Sequence, residues 1–337
     1  MTSSTVTIPR AFIWRRLHSL MGLWLVVFLI EHLLTNSQAA LWLGENGQGF
    51  VRMVDWLHNL PYLQVIEIVL LGIPLLLHLV WGIKYLLTGK LNSFSSNGSK
   101  PSLPEYGRNR AYSWQRITSW ILLVGLSFHV VKFRFLEYPL SVHEGDRSAY
   151  FIRVSLDDGL YTVADRLNVK LYDQKAVKEQ VHQLEKREAE IALLEAARET
   201  FADEDPREKE LYNEQKALLL VSAQKFEQKI FWVSTLAKIK LSQGEVVAVS
   251  QDFGTATLLA VRDVFKNPFY IIFYTIFVLA ACFHAFNGLW TFMITWGWIL
   301  KASAQKKMVT FCILLMLGIA FLGLSAIWGT YWINLRY

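Results

Sequence analysis

Charged and polar residues in this chain are confined to a few stretches, which leaves five long apolar blocks at residues 14–35, 63–87, 113–136, 269–300 and 309–335. A helix rises about 1.5 Å per residue, so roughly 20 apolar residues cross a hydrocarbon core about 30 Å thick. Each block is therefore predicted to be a transmembrane helix. Pro74 falls inside the second and predicts a kink. The region between blocks three and four has a different pattern. Residues 175–201 and 207–231 are charged and amphipathic, with Val181, Leu184, Ile191 and Leu194 on one stripe, and Asp203-Glu204-Asp205-Pro206 separates them. That pattern predicts a helical hairpin. Two short runs, 150–154 and 246–250, read as strands. Each leads into a similar phrase, Val154-Ser155-Leu156-Asp157-Asp158-Gly159 and Val249-Ser250-Gln251-Asp252-Phe253-Gly254, which hints at a small internal repeat.

The expected fold is thus an all-α membrane protein, a five-transmembrane-helix bundle with an extra-membrane α+β insertion between spans three and four. The bundle is expected to comprise 1–140 and 267–337, and the insertion 141–266. Composition agrees, because a chain that is 53% hydrophobic with 13 Trp is unlike a soluble domain. The net charge of +6 would suit nucleic acid, but its placement argues for lipid and against nucleic acid. Basic residues gather before span one (Arg10, Arg15, Arg16), between spans two and three (Lys84, Lys90, Lys100, Arg108, Arg110, Arg116) and between spans four and five (Lys301, Lys306, Lys307). By the positive-inside rule those ends face the cytoplasm, with the N-terminus among them, in a multi-pass membrane protein. The polar connector 91–110 is then a cytoplasmic loop. The slightly acidic insertion lies on the opposite side. The first block shows no small-residue cleavage pattern and is expected to remain as a span. Cys282 and Cys312 lie in spans and read as small core residues.

Four histidines, His32, His78, His129 and His284, lie within four of the spans. An imidazole in hydrocarbon is costly and points by default to a functional group facing the bundle interior. A bond to a nearby backbone carbonyl is the plain alternative for any one of them. Depth favours the functional reading. Counted along their helices, His32 lies roughly 10 Å and His129 about 7 Å outward of the span centres, and His78 and His284 roughly 5 Å inward. They sort into an outer and an inner pair, about 12–15 Å apart. Gly82, Gly125 and Gly288 each stand one turn from a histidine, which suits a flat macrocycle against the helix. Two bis-histidine haems fit this better than zinc, which two ligands per level would leave half coordinated.

Several runs then carry a resemblance. These are Arg15-Arg16-Leu17-His18-Ser19-Leu20 with Phe28-Leu29-Ile30-Glu31-His32-Leu33, Gln115-Arg116-Ile117-Thr118, and Phe283-His284-Ala285-Phe286-Asn287-Gly288-Leu289-Trp290 with Thr295-Trp296-Gly297. Together they resemble the di-haem cytochrome b subunit of succinate dehydrogenase, in the five-helix, menaquinone-type group related to fumarate reductase. The resemblance implies two haems b, ligated by His32 with His129 and by His78 with His284. It further implies an electron-transfer subunit, non-catalytic alone, anchoring a flavoprotein and an iron–sulfur subunit at the cytoplasmic face and exchanging electrons with membrane quinone. The long insertion departs from that pattern. So does Cys282, which stands where some fumarate reductases of the group carry a glutamate, so a glutamate-assisted proton route does not carry over.

Two further clusters follow from the residues. His18, Ser19, Tyr112, Trp114, Gln115 and Arg116 gather at the cytoplasmic ends of spans one and three, as donors for the inner haem's propionates or as interfacial anchors. Asn36, Asp55, His58 and Glu67 gather at the outer end and mark the expected quinone pocket. His143 and His182 are expected to be solvated. Rival readings are another quinone-coupled anchor, such as that of a hydrogenase or formate dehydrogenase, a proton-coupled transporter, and a structural scaffold.

Overall fold

The structure, a computed structural model, describes residues 8–42, 44–89, 105–144, 147–199 and 226–337. In chain order its elements are α1 (Arg10–Leu41), α2 (Gln48–His58), α3 (Leu63–Glu67), α4 (Ile73–Thr88), α5 (Gly107–Val130), β1 (Leu140–Glu144), β2 (Arg147–Ser155), α6 (Leu160–Arg166), β3 (Lys170–Tyr172), α7 (Gln174–Glu199), α8 (226–238), β4 (Glu245–Ser250), α9 (Phe253–Val264), α10 (Pro268–Thr295) and α11 (Ala302–Gly329). They form two compact units. One is Met1–Leu136 with Val264–Leu335, and the other is Glu137–Asp263 with Arg336–Tyr337.

The first unit holds five helices long and apolar enough to cross a membrane: Arg10–Leu41, Leu63–Thr88, Gly107–Leu136, Pro268–Thr295 and Ala302–Asn334. Their starts follow local chemistry. Asn267 accepts a hydrogen bond from the Phe269 N–H, and Pro268 occupies the first turn, where its missing N–H costs nothing. The fourth span ends at Thr295, five residues before the apolar block does, and Gly297 turns the chain with φ of 75°. The expected kink in span two is a π-helical turn, Ile68–Gly72, just before Pro74. Proline has no N–H for the carbonyl four residues back, and the indole of Trp24 on α1 donates to that oxygen, Leu70 O. Similar π turns close spans three and five, at Val131–Leu136 and Thr330–Asn334.

Between helices, α1 touches α4, α10 and α11, and α10 touches α5 and α11. Small residues allow the close approach. A Cβ on Gly323 of α11 would lie 2.7 Å from Val278 of α10, and one on Gly329 would lie 2.6 Å from Ala40 of α1. Cys282 and Cys312 are free and buried, as their positions in spans predict.

The second unit is a four-stranded antiparallel sheet in the order β1-β2-β4-β3. The two expected strands, 150–154 and 246–250, pair directly with each other. Alternation along them buries both faces. Ala149, Phe151, Val247 and Val249 pack with Trp232, Val233 and Leu236 of α8 and with Val177, Val181 and Leu184 of α7. The first limb of the expected hairpin is α7. The turn and most of the second limb lie outside the described residues, as do the side chains of Ile191 and Leu194 and most of the connector 91–110. Both Val-Ser-x-Asp-x-Gly phrases serve as strand-to-helix turns, since Asp157 accepts from Gly159 N–H and Asp252 from Thr255 N–H. Asp157 also forms a bidentate pair with the buried Arg262, at 2.7 and 2.8 Å. Losing Asp157 would strand the buried Arg262 charge at a cost of about 3–5 kcal/mol. His143 and His182 are exposed, as expected.

Candidate functional site

The four intramembrane histidines come together as two pairs on four different helices. Here inner denotes the end of the bundle where α1 begins, and outer the end where it stops. The ring centroids of His78 (α4) and His284 (α10) are 6.2 Å apart with planes at 83°. Those of His32 (α1) and His129 (α5) are 5.9 Å apart with planes at 84°. A metal ion bonded at about 2 Å to one nitrogen of each ring would set the centroids about 6 Å apart, so both pairs have a spacing that could hold one ion between them. Among the described residues no group of three or more His, Cys, Asp or Glu side chains converges to hold an ion by itself. One facing pair of rings at each level suits an ion whose remaining ligands come from a macrocycle.

Three helices give the distance between the levels. On α1, Gly22 faces the His78 ring, where a Cβ would lie 2.9 Å from Cε1, and His32 follows ten residues later, about 15 Å along the axis. On α5, Ser119 meets His284, and His129 again follows ten residues later, about 15 Å. On α10, Phe277 contacts His129 and precedes His284 by seven residues, about 10 Å.

The hydrogen bonds of the inner rings are all made at Nδ1. His78 Nδ1 lies 3.1 Å from the carbonyl oxygen of His18, which can only accept, so Nδ1 carries the proton and Nε2 keeps its lone pair. His284 Nδ1 lies 3.4 Å from Ser119 Oγ and 3.5 Å from Thr118 Oγ1. Both hydroxyl protons already go to backbone carbonyls, of Gln115 at 2.7 Å and of Trp114 at 2.8 Å. The two oxygens face the ring as acceptors and again leave Nε2 free. Sequence reasoning did not single out Ser119. It stands four residues beyond Gln115, on the same helical face, and that spacing was the available signal.

The cluster read from the sequence at the inner ends of spans one and three is partly assembled. The His18 ring stacks on His78 at 4.1 Å and 10°. Gln115 donates to the carbonyl of His284 at 3.1 Å and accepts from Asn287 at 2.7 Å, tying α5 to α10. Ser19 accepts from the Trp296 indole at 2.9 Å. Arg116 donates to the Tyr85 carbonyl at 3.1 Å and lies over the Tyr112 ring. Trp114 is exposed. Of the glycines, Gly125 packs against Phe277 and Gly288 has Gln115 as its nearest neighbour, whereas Gly22, not noticed in the sequence, is the one tight against an imidazole.

The outer pair is surrounded differently. Phe28 stacks on His32 at 5.5 Å. Phe133, Tyr274 and Phe277 ring His129. Nearby, Asn36 donates to the His32 carbonyl at 2.7 Å. Glu67 pairs with Arg134 at 2.9 Å, a partner missed because Arg134 was read as part of an apolar block. Burial holds His58 below its ordinary value, with Glu67 raising and Arg134 lowering it, so these three groups feel one another.

Four buried side-chain polar atoms among the described residues have no hydrogen-bond partner: His18 Nδ1, His129 Nδ1, Tyr274 OH and Trp290 Nε1. Each such orphan costs about 1–3 kcal/mol. Two belong to the histidine clusters and a third, Tyr274, packs edge-on against His129. Orphans concentrated beside the paired rings fit a bound group that brings its own acceptors.

No protein-family model and no solved structure matches the chain significantly. A stretch of 122 residues, 36% of this chain, is 34% identical to 54% of the succinate dehydrogenase cytochrome b558 subunit of Bacillus subtilis (strain 168). The chain thus spans about half the length of the curated relative it matches.

Proposed function

We propose that this chain is the cytochrome b membrane anchor of a succinate:quinone oxidoreductase. It carries electrons between cytoplasmic flavoprotein and iron–sulfur subunits and a membrane quinone, menaquinone in this reading, through two bis-histidine haems b. The observation that carries this is the pair of ring separations, 6.2 and 5.9 Å, at two levels of one five-span bundle. The similarity to a succinate dehydrogenase cytochrome b558 subunit over 122 residues supports the choice of complex. When bound, haem supplies one-electron exchange.

The chain's own residues bind and orient. His78 and His284 present Nε2 to the inner position, held by the His18 carbonyl and by the Ser119 and Thr118 oxygens. His32 and His129 serve the outer position within an aromatic wall. The basic ends of the spans support an N-terminus on the cytoplasmic side of a bacterial inner membrane. His18, Ser19, Gln115 and Arg116 then line the cytoplasmic end of the inner position. Asn36, Asp55, His58 and Glu67, together with Arg134, border a quinone pocket at the outer end. Pyridine haemochrome quantitation on the purified complex should give two haems per chain, and one or none in an assembled complex would refute the reading. Co-purification of a flavoprotein and an iron–sulfur protein tests the choice of complex against other quinone-coupled anchors.

A further inference from the structure

Tyr274 on α10 is 4% exposed, and its hydroxyl has no hydrogen-bond partner. Its ring lies edge-on to His129, with centroids 5.8 Å apart. Phe133, Phe265, Phe273 and Phe277 pack on it and offer no acceptor, and the Tyr270 hydroxyl, which interacts with it electrostatically, is not a hydrogen-bond partner. A buried tyrosine ordinarily finds a partner for its hydroxyl, and phenylalanine would fill the same space without the orphan. The second unsatisfied atom at this level is Nδ1 of His129 itself. Positive charge lies one turn further along span three. Lys132, 9% exposed, follows His129 by three residues on the same face of span three. Its Nζ sits 4.5 Å from the ring centre of Tyr270, one helical turn from Tyr274. A lysine buried in a membrane span marks a functional position by default.

We propose that Tyr274 and Lys132 form a polar binding site beside the outer histidine pair, in which the tyrosine hydroxyl donates to an oxygen acceptor of a bound ligand and the ammonium complements its charge. This rests on the function proposed above. Two sources present such an oxygen, bearing full or partial negative charge: a carboxylate of the macrocycle held by His32 and His129, and the polar carbonyl of a quinone lying against it. Tyr274→Phe removes only the hydroxyl and keeps the aromatic packing, and Lys132→Gln removes only the charge.

Both variants are made in the whole membrane complex, with the haem count, the midpoint potential of each haem and the KM for quinone as readouts. If the acceptor is a haem carboxylate, its negative charge is less compensated in the variants and stabilises oxidised iron. The outer haem's potential then falls, more in Lys132→Gln than in Tyr274→Phe, while the inner potential stays fixed. If the acceptor is a quinone carbonyl, both potentials stay and the quinone KM rises several-fold, which equally supports the site. Two haems with unchanged potentials and unchanged KM in both variants would overturn the proposal and leave the proposed function standing. Fewer than two haems in the wild-type complex would instead remove the function it rests on.

Discussion

The inner and outer histidine pairs share nearly the same ring separation, 6.2 and 5.9 Å, but they are held by different forces. Inner rings are fixed by hydrogen bonds, from His78 Nδ1 to the His18 carbonyl and from His284 Nδ1 to the Ser119 and Thr118 oxygens. At the outer level His129 Nδ1 has no partner, and the rings of Phe28, Phe133, Tyr274 and Phe277 confine the pair by packing. One ring separation can thus be reached by two routes. Hydrogen bonding selects a tautomer and raises ligand basicity, whereas aromatic packing sets position and leaves the ring nitrogen for whatever ligand arrives.

The largest expected effect tests whether the two pairs are separate sites at all. His32→Ala or His129→Ala should remove the outer haem and leave the inner one, and His78→Ala or His284→Ala should do the reverse. Optical spectra with pyridine haemochrome counts would read this. Loss of both haems from every single variant would merge the levels into one folding unit and end the comparison.

A smaller effect addresses the hydrogen bonds. Replacing Thr118 and Ser119 together by Val and Ala frees His284 Nδ1, and inner-haem affinity should fall about 10-fold, at the low end for an outer-shell partner of a ligating histidine. At the outer level His129 Nδ1 has no partner, so no equivalent bond is lost there. Haem retention during graded extraction checks this, and equal losses at both levels would show that helix packing, not the bond, was disturbed.

At the outer end, Glu67→Gln breaks the pair with Arg134. Both side chains are well exposed, so stability should change by no more than about 1 kcal/mol. In the proposed function the quinone KM should rise a few-fold with both haem spectra unchanged. A change in the inner spectrum would place the quinone at the wrong level.

The smallest expected effect concerns the insertion. Replacing residues 146–258 by a short Gly/Ser linker should leave both haems in place, because all four histidines belong to the other compact unit. Selective loss of the outer haem would sharpen the asymmetry by making the insertion part of that site. Loss of both in a variant that still inserts would assign the insertion to the bundle's scaffold.

Much of this was legible in the chain itself, for physical reasons that act locally. Five spans follow from apolar length alone, since hydrocarbon admits few charges and requires satisfied backbone. The register of His32, His78, His129 and His284 follows from a fixed rise per residue, so two depths could be read without coordinates. The strands at 150–154 and 246–250 follow from period-two alternation. Tertiary structure alone decided which groups surround each ring, because those neighbours come from other helices and no local rule links them. Ser119 and His284 are 165 residues apart, and Gln115 and Asn287 172. The Trp24 indole on the carbonyl freed by Pro74, the Glu67–Arg134 pair and the orphan hydroxyl of Tyr274 arise in the same way, from helix faces that meet only when the bundle packs.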